Sequence, residues 1–94
     1  MPLRPTETNL VGKWIVVEGK VVADETERRI QELIRTELQR ISTDSSGWEI
    51  LFRDASDGRL WELTRPQSEM HGGGPRRLHV IDPAEAHRKY RFEG

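Results

Sequence analysis

The chain contains no cysteine. Disulfide frameworks, thiolate metal sites and cysteine nucleophiles are therefore excluded. Long apolar runs are missing too. The longest is Trp14-Ile15-Val16-Val17, far short of the roughly 20 residues that span a bilayer. The start, Met1-Pro2-Leu3-Arg4-Pro5, has no apolar segment of the secretory kind, so the cytoplasm is the expected location. Charge of one sign is also lacking: 15 Lys and Arg stand against 16 Asp and Glu, a net charge of -1. Without a basic surplus, direct nucleic-acid binding is not expected. With 94 residues, the chain has length for one modest core and no room for a large cofactor beside a substrate pocket. A single unit over 1–94 is expected, with residues 1–9, polar and holding two prolines, as a loose arm.

What is present reads as an α+β pattern. Lys13–Val17 and Lys20–Val22 flank Glu18-Gly19, as a tight hairpin would. Apolar side chains on both faces of this hairpin predict cover from both sides or a central place in a sheet. Over 24–42, Ile30, Leu33, Ile34, Leu38 and Ile41 share one helical face. Asp24 is a good N-cap, with Glu27 three residues on as in a capping box. Trp48–Arg53 and Arg59–Arg65 read as a second hairpin joined by Asp54-Ala55-Ser56-Asp57-Gly58. Its period-2 faces predict that Trp48, Ile50 and Phe52 meet Trp61 and Leu63 over the helix stripe. Residues 66–76 form a glycine-rich loop, and Arg77–Ile81 a last strand. Asp82-Pro83 then opens a short helix over Ala84–Tyr90. The expected architecture is an antiparallel sheet of about four to five strands, one main amphipathic helix packed on it, and a short C-terminal helix.

Few residues suggest chemistry. His71, His79 and His87 are evenly spaced but match no metal motif. Glu69-x-His71 resembles an acid/base pair but lacks a nucleophile. Gly72-Gly73-Gly74 lacks the Lys-Ser/Thr ending of a phosphate loop. Asp57-Gly58 is turn chemistry, and no calcium-loop spacing surrounds it. Trp14, Trp48 and Trp61 suit a core, while an exposed one would be an interface anchor. No catalytic residue, metal or cofactor is expected.

Several runs carry more. Ser46-Gly47-Trp48, Leu51-Phe52-Arg53-Asp54, Asp57-Gly58-Arg59-Leu60-Trp61-Glu62-Leu63-Thr64 and Ser68-Glu69-Met70-His71-Gly72-Gly73-Gly74-Pro75 stand in order. With Leu10-Val11-Gly12-Lys13-Trp14 upstream, they make roughly residues 8–90 resemble the immunity protein 27 family of bacterial polymorphic toxin systems. Arg65, before a proline, and Arg76, after one, depart from the pattern. The resemblance implies a non-catalytic partner that binds and neutralises a cognate toxin, for instance a nuclease by blocking its active cleft. No nucleic acid, membrane or small-molecule substrate is implied. The turn-rich segments Asp54–Arg59 and Ser68–Pro75 are the least explained by core packing. Asp54, Asp57, Arg59, Ser68, Glu69, His71 and Gly73 are therefore the candidate toxin contacts. An adaptor domain, or an enzyme using Glu69 and His71, are the alternatives.

Overall fold

Alternating apolar runs and one helical stripe resolve into strands and helices in a computed structural model, which describes residues 3–66 and 75–90. The order is β1 (Asn9–Val11), β2 (Trp14–Val17), β3 (Lys20–Ala23), α1 (Glu25–Thr36), β4 (Leu38–Thr43), β5 (Ile50–Asp54), β6 (Leu60–Thr64), β7 (Arg77–Val80) and α2 (Pro83–Tyr90). The architecture is α+β, as expected: a five-stranded antiparallel sheet ordered β1-β7-β6-β5-β4, a separate two-stranded β2-β3 hairpin, and two helices.

The main helix begins where its cap predicts. Asp24 has extended backbone, and its Oδ1 accepts from the Glu27 N–H at 2.8 Å. It ends earlier than its apolar spacing predicts. Glu37 closes α1 by donating its N–H to the Leu33 carbonyl, and Leu38 already lies in β4. Leu38 and Ile41, expected on the helix stripe, are strand residues. An apolar interval of three suits one helical face and equally the two faces of a strand: in β4, which carries one bulge, Leu38 joins the α1-side core and Ile41 packs on the α2-side cluster. The bulge lies between Arg40 and Ser42. Pairing with β5 decides between the two, a long-range gain that local spacing does not register.

The sheet is covered on both faces, so its central strands carry apolar residues on both. Ile30 and Leu33 of α1 pack with Phe52, Trp61, Leu63 and Leu78 on one face. Ala86 and Tyr90 of α2 pack with Leu51, Leu60 and Ile81 on the other. Full burial of an aliphatic side chain of this kind contributes about 1.5–3 kcal/mol. Phe52 sits opposite Trp61 in the β5–β6 register, as the period-2 reading requires. Trp48 falls outside β5 and is exposed.

Two expectations change with the tertiary structure. Described residues of the N-terminal arm are docked: Leu3 lies in the core, Asn9 begins β1, and Glu7 pairs with Arg29. The first hairpin is in turn uncovered. Glu18 (φ 51) and Gly19 (φ 77) form its two-residue turn, the positive-φ geometry that fits hairpin twist. The β2–β3 pair joins no other strand among the described residues, and Val16 and Val21 are 70% and 69% exposed.

Candidate functional site: one end of the sheet

The two loops expected to form one surface leave β6 at opposite ends. Asp54–Arg59 joins β5 to the start of β6, and the glycine loop follows its last residue, Thr64. Five strand residues, about 16 Å, lie between them.

At the β5–β6 loop, the candidate residues are engaged within the chain. Asp54 is 2% exposed, and its Oδ1 accepts from the Ser56 N–H and hydroxyl at 2.9 and 2.8 Å. Asp57 accepts from the Arg59 N–H at 3.0 Å and from Arg59 Nε at 2.6 Å. The hydrogen bond from the Arg59 backbone outweighs slight desolvation and holds the Asp57 carboxyl below its ordinary range. The same guanidinium donates to the Glu7 and Arg4 carbonyls at 2.6 and 3.0 Å and lies 4.9 Å from the Trp61 ring centroid. It staples the N-terminal segment over the core. Arg59→Ala is therefore expected to lower stability by about 1–3 kcal/mol. A thermal melt compared with that of Arg53→Ala, a residue on the same hairpin, checks this.

The other end collects more elements. Ser68, Glu69, His71 and Gly73 fall outside the described residues, but the flanks of their loop are defined. Arg76 donates from Nε to Glu27 Oε1 at 2.9 Å, and its carbonyl accepts from the Gly12 N–H at 2.8 Å. A Cβ on Gly12 would meet Glu27 Oε2 at 2.5 Å and the Arg76 carbonyl at 3.1 Å, so glycine permits this close approach. The clamp joins the N-terminal turn of α1, the end of β1 and the start of β7.

Beside it lies the 44–49 turn. Asp44 Oδ1 accepts from the N–H groups of Ser46, Gly47 and Glu49 and from the Ser46 hydroxyl. Slight desolvation would raise this carboxyl; the bonds from Ser46, Glu49 and Gly47 outweigh it and hold it below its ordinary range. The ordered turn holds Trp48 out at 49% exposure, with the Arg65 guanidinium 5.5 Å from its ring centroid. A groove of about 340 Å³ runs beside them, floored by Ile34, Ile50 and Leu63 and walled by Trp48, Arg65 and Arg76.

Exposed apolar surface follows the same division. Val11, Trp14, Ile15, Val16, Val17, Val21, Val22 and Trp48 are the exposed large hydrophobics among the described residues. Every one lies at the glycine-loop end or on the hairpin that leaves from it. Scattered apolar side chains are ordinary on a protein surface, but a contiguous set rimmed by polar groups marks an interaction site. Sequence reasoning missed the exposure of Trp48, because its place in a period-2 run is indistinguishable from that of a core residue. It did register apolar residues on both hairpin faces.

The opposite sheet face carries a polar cluster. Glu62 accepts from Lys89 Nζ at 2.5 Å, Tyr90 Oη at 2.7 Å and His79 Nε2 at 2.9 Å. Glu62 and Tyr90 are buried and tie α2 to β6. Among the described residues no group of His, Asp and Glu is arranged to hold a metal ion, and no helix is long and apolar enough to cross a membrane.

The chain matches the family described as immunity protein 27 over residues 16–82. Neither the curated proteins nor the solved structures yield a match.

Proposed function

This chain belongs to the immunity protein 27 family, and from that premise we propose that it binds and neutralises a cognate toxin through the glycine-loop end of its sheet. The family implies a toxin partner and a non-catalytic role. The carrying observation for the surface is the gathering of exposed large hydrophobics, Trp48 among them, at that end and on its hairpin. Ser68, Glu69, His71 and Gly73 belong to the proposed contact surface, since their loop springs from it. Asp54, Asp57 and Arg59 enter the proposal as the far-end staple that keeps the sheet rigid. Inhibition of this kind needs only a rigid complementary face of about 800 Å². The proposed setting is a polymorphic toxin system, with the protein acting in the cytoplasm of the toxin-producing cell.

Co-expression tests the role. The C-terminal domain encoded by the reading frame immediately upstream is induced alone and then with this protein. Restored growth and a copurifying complex are expected. Toxicity with neither rescue nor complex would remove the immunity reading. Within the complex, Trp48→Ala is expected to weaken binding by about 2 kcal/mol, roughly thirtyfold. Its melting temperature should stay within about 2 °C of the wild type, because an exposed ring contributes little to the core. Unchanged affinity would place the contact elsewhere.

A further inference from the structure

We propose that the β2–β3 hairpin is an arm that inserts into an apolar cleft of the toxin whose rim carries carboxylates. The inference rests on the immunity reading and adds the chemistry of the partner's receiving site.

Paired residues on opposite strands share a face. Ile15 with Val22 and Val17 with Lys20 line one side; Trp14 with Ala23 and Val16 with Val21 line the other. Both sides are thus largely apolar, and both hold exposed residues. A flat partner would cover one side, whereas a cleft covers two.

The backbone points the same way. Asp24 N–H donates to the Lys13 carbonyl, so in alternation the N–H and C=O groups of Trp14, Val16, Val21 and Ala23 face outward. A two-stranded hairpin alone is marginal in water and gains from a partner that supplies hydrogen bonds and apolar cover. A lipid phase offers cover without the hydrogen bonds, which favours a protein occupant.

Charge selects the rim. Lys13, Lys20 and Arg28 surround the hairpin, and none forms an ion pair among the described residues. Lys20 and Arg28 line the groove beside Ile15, Val17 and Val22, where Glu18 at the tip is the one acid; Asp24 and Glu25 follow the hairpin base, on the side of Lys13. Along that groove two cations against one carboxylate favour an acidic rim and oppose a phosphate-binding basic cleft. A second copy would bring the same cations face to face. Two hairpins joined at their edges would also leave their apolar faces in water. If the toxin is a nuclease, the hairpin docks beside its substrate cleft rather than within it.

The upstream-frame toxin domain serves as the probe, with two double variants. Val16→Thr with Val21→Thr removes apolar surface while keeping shape and β propensity. Lys20→Glu with Arg28→Glu reverses the rim. Both are expected to keep the wild-type melting temperature. The first should weaken binding about tenfold or more. The second should slow association about tenfold at low salt and abolish the salt dependence shown by the wild type. Binding of both variants within twofold of the wild type would overturn the inference and leave the immunity role intact. Failure of the wild type itself to bind or rescue would remove the immunity reading and the inference together. A wild-type dimer that the threonine variant dissociates without loss of rescue would assign the hairpin to a second copy instead. Toxin-independent binding to phosphatidylglycerol–phosphatidylcholine vesicles, lost in the threonine variant while rescue persists, would assign it to a membrane. Either result overturns the proposal.

Discussion

Replacing Glu62 with alanine is expected to cost about 3 kcal/mol or more and to loosen α2 from the sheet. The carboxylate is 5% exposed and receives hydrogen bonds from Lys89, Tyr90 and His79. Its removal strands the buried Tyr90 hydroxyl, whereas Lys89 keeps Glu49 at 2.7 Å. In a chain of this length the melting temperature should fall by roughly 10–25 °C.

The same group sets a pH dependence. Burial pushes the Glu62 carboxyl upward, but hydrogen bonds from His79, Lys89 and Tyr90 outweigh it and bring it from 4.5 to about 2. The folded state therefore binds its proton more weakly than the unfolded chain. This stabilisation is fully present above the unfolded value and is lost as pH falls from about 4.5 toward 2. Glu7, hydrogen-bonded by Arg29, is also held at about 2 and acts in the same direction. Urea midpoints at pH 7, 4 and 3 should fall steadily for the wild type. They should fall less for Glu62→Gln, which retains the shape of the site but cannot lose a charge. Parallel slopes for the two proteins would show that Glu62 does not govern the acid limb.

Trp61→Ala is expected to cost about 3–5 kcal/mol, enough to leave much of the population unfolded at 37 °C in a chain of ordinary stability. Trp61 is 0% exposed and is the largest fully buried side chain. It lies between Phe52 on β5 and Val80 on β7, under α1, with the Arg59 guanidinium beyond its ring. Alanine would leave a cavity between two rigid strands, which cannot close inward as a loop can. Trp61→Phe should recover part of the loss, because it refills most of that space. Circular dichroism melts of both variants beside Trp48→Ala provide the check. The wild type and Trp48→Ala should melt together, well above Trp61→Phe, with Trp61→Ala lowest.

The three tryptophans also mark how far local pattern reaches. Trp48 and Trp61 both stand in period-2 runs beside apolar neighbours, yet one is exposed and the other is at the centre of the core. Alternation assigns a face only within a strand, and β5 begins at Ile50, after the turn that Asp44 holds. Leu38 and Ile41 show the same limit. Their spacing continues the α1 stripe, but the partner that claims them is β5. Part of the candidate surface was legible. The glycine loop and its motif stand out in the sequence and leave from the end of the sheet proposed as the contact surface, whereas Asp54, Asp57 and Arg59 looked equally free in the sequence and are hydrogen-bonded within the fold.

Sequence alone determined the features whose causes act within a few residues. Asp24 starts α1, Glu18-Gly19 turns the hairpin, and Asp82 with Pro83 opens α2. The ordered motifs around Trp61-Glu62 and the glycine loop also sufficed to indicate the family. Only the tertiary structure decided that the N-terminal segment docks, that the first hairpin stands uncovered, and that the two polar loops attach at opposite ends of β6. Those outcomes depend on which strands pair and in what register. Such pairings join residues far apart in the chain, Asn9 with His79 for one, and no local propensity encodes them.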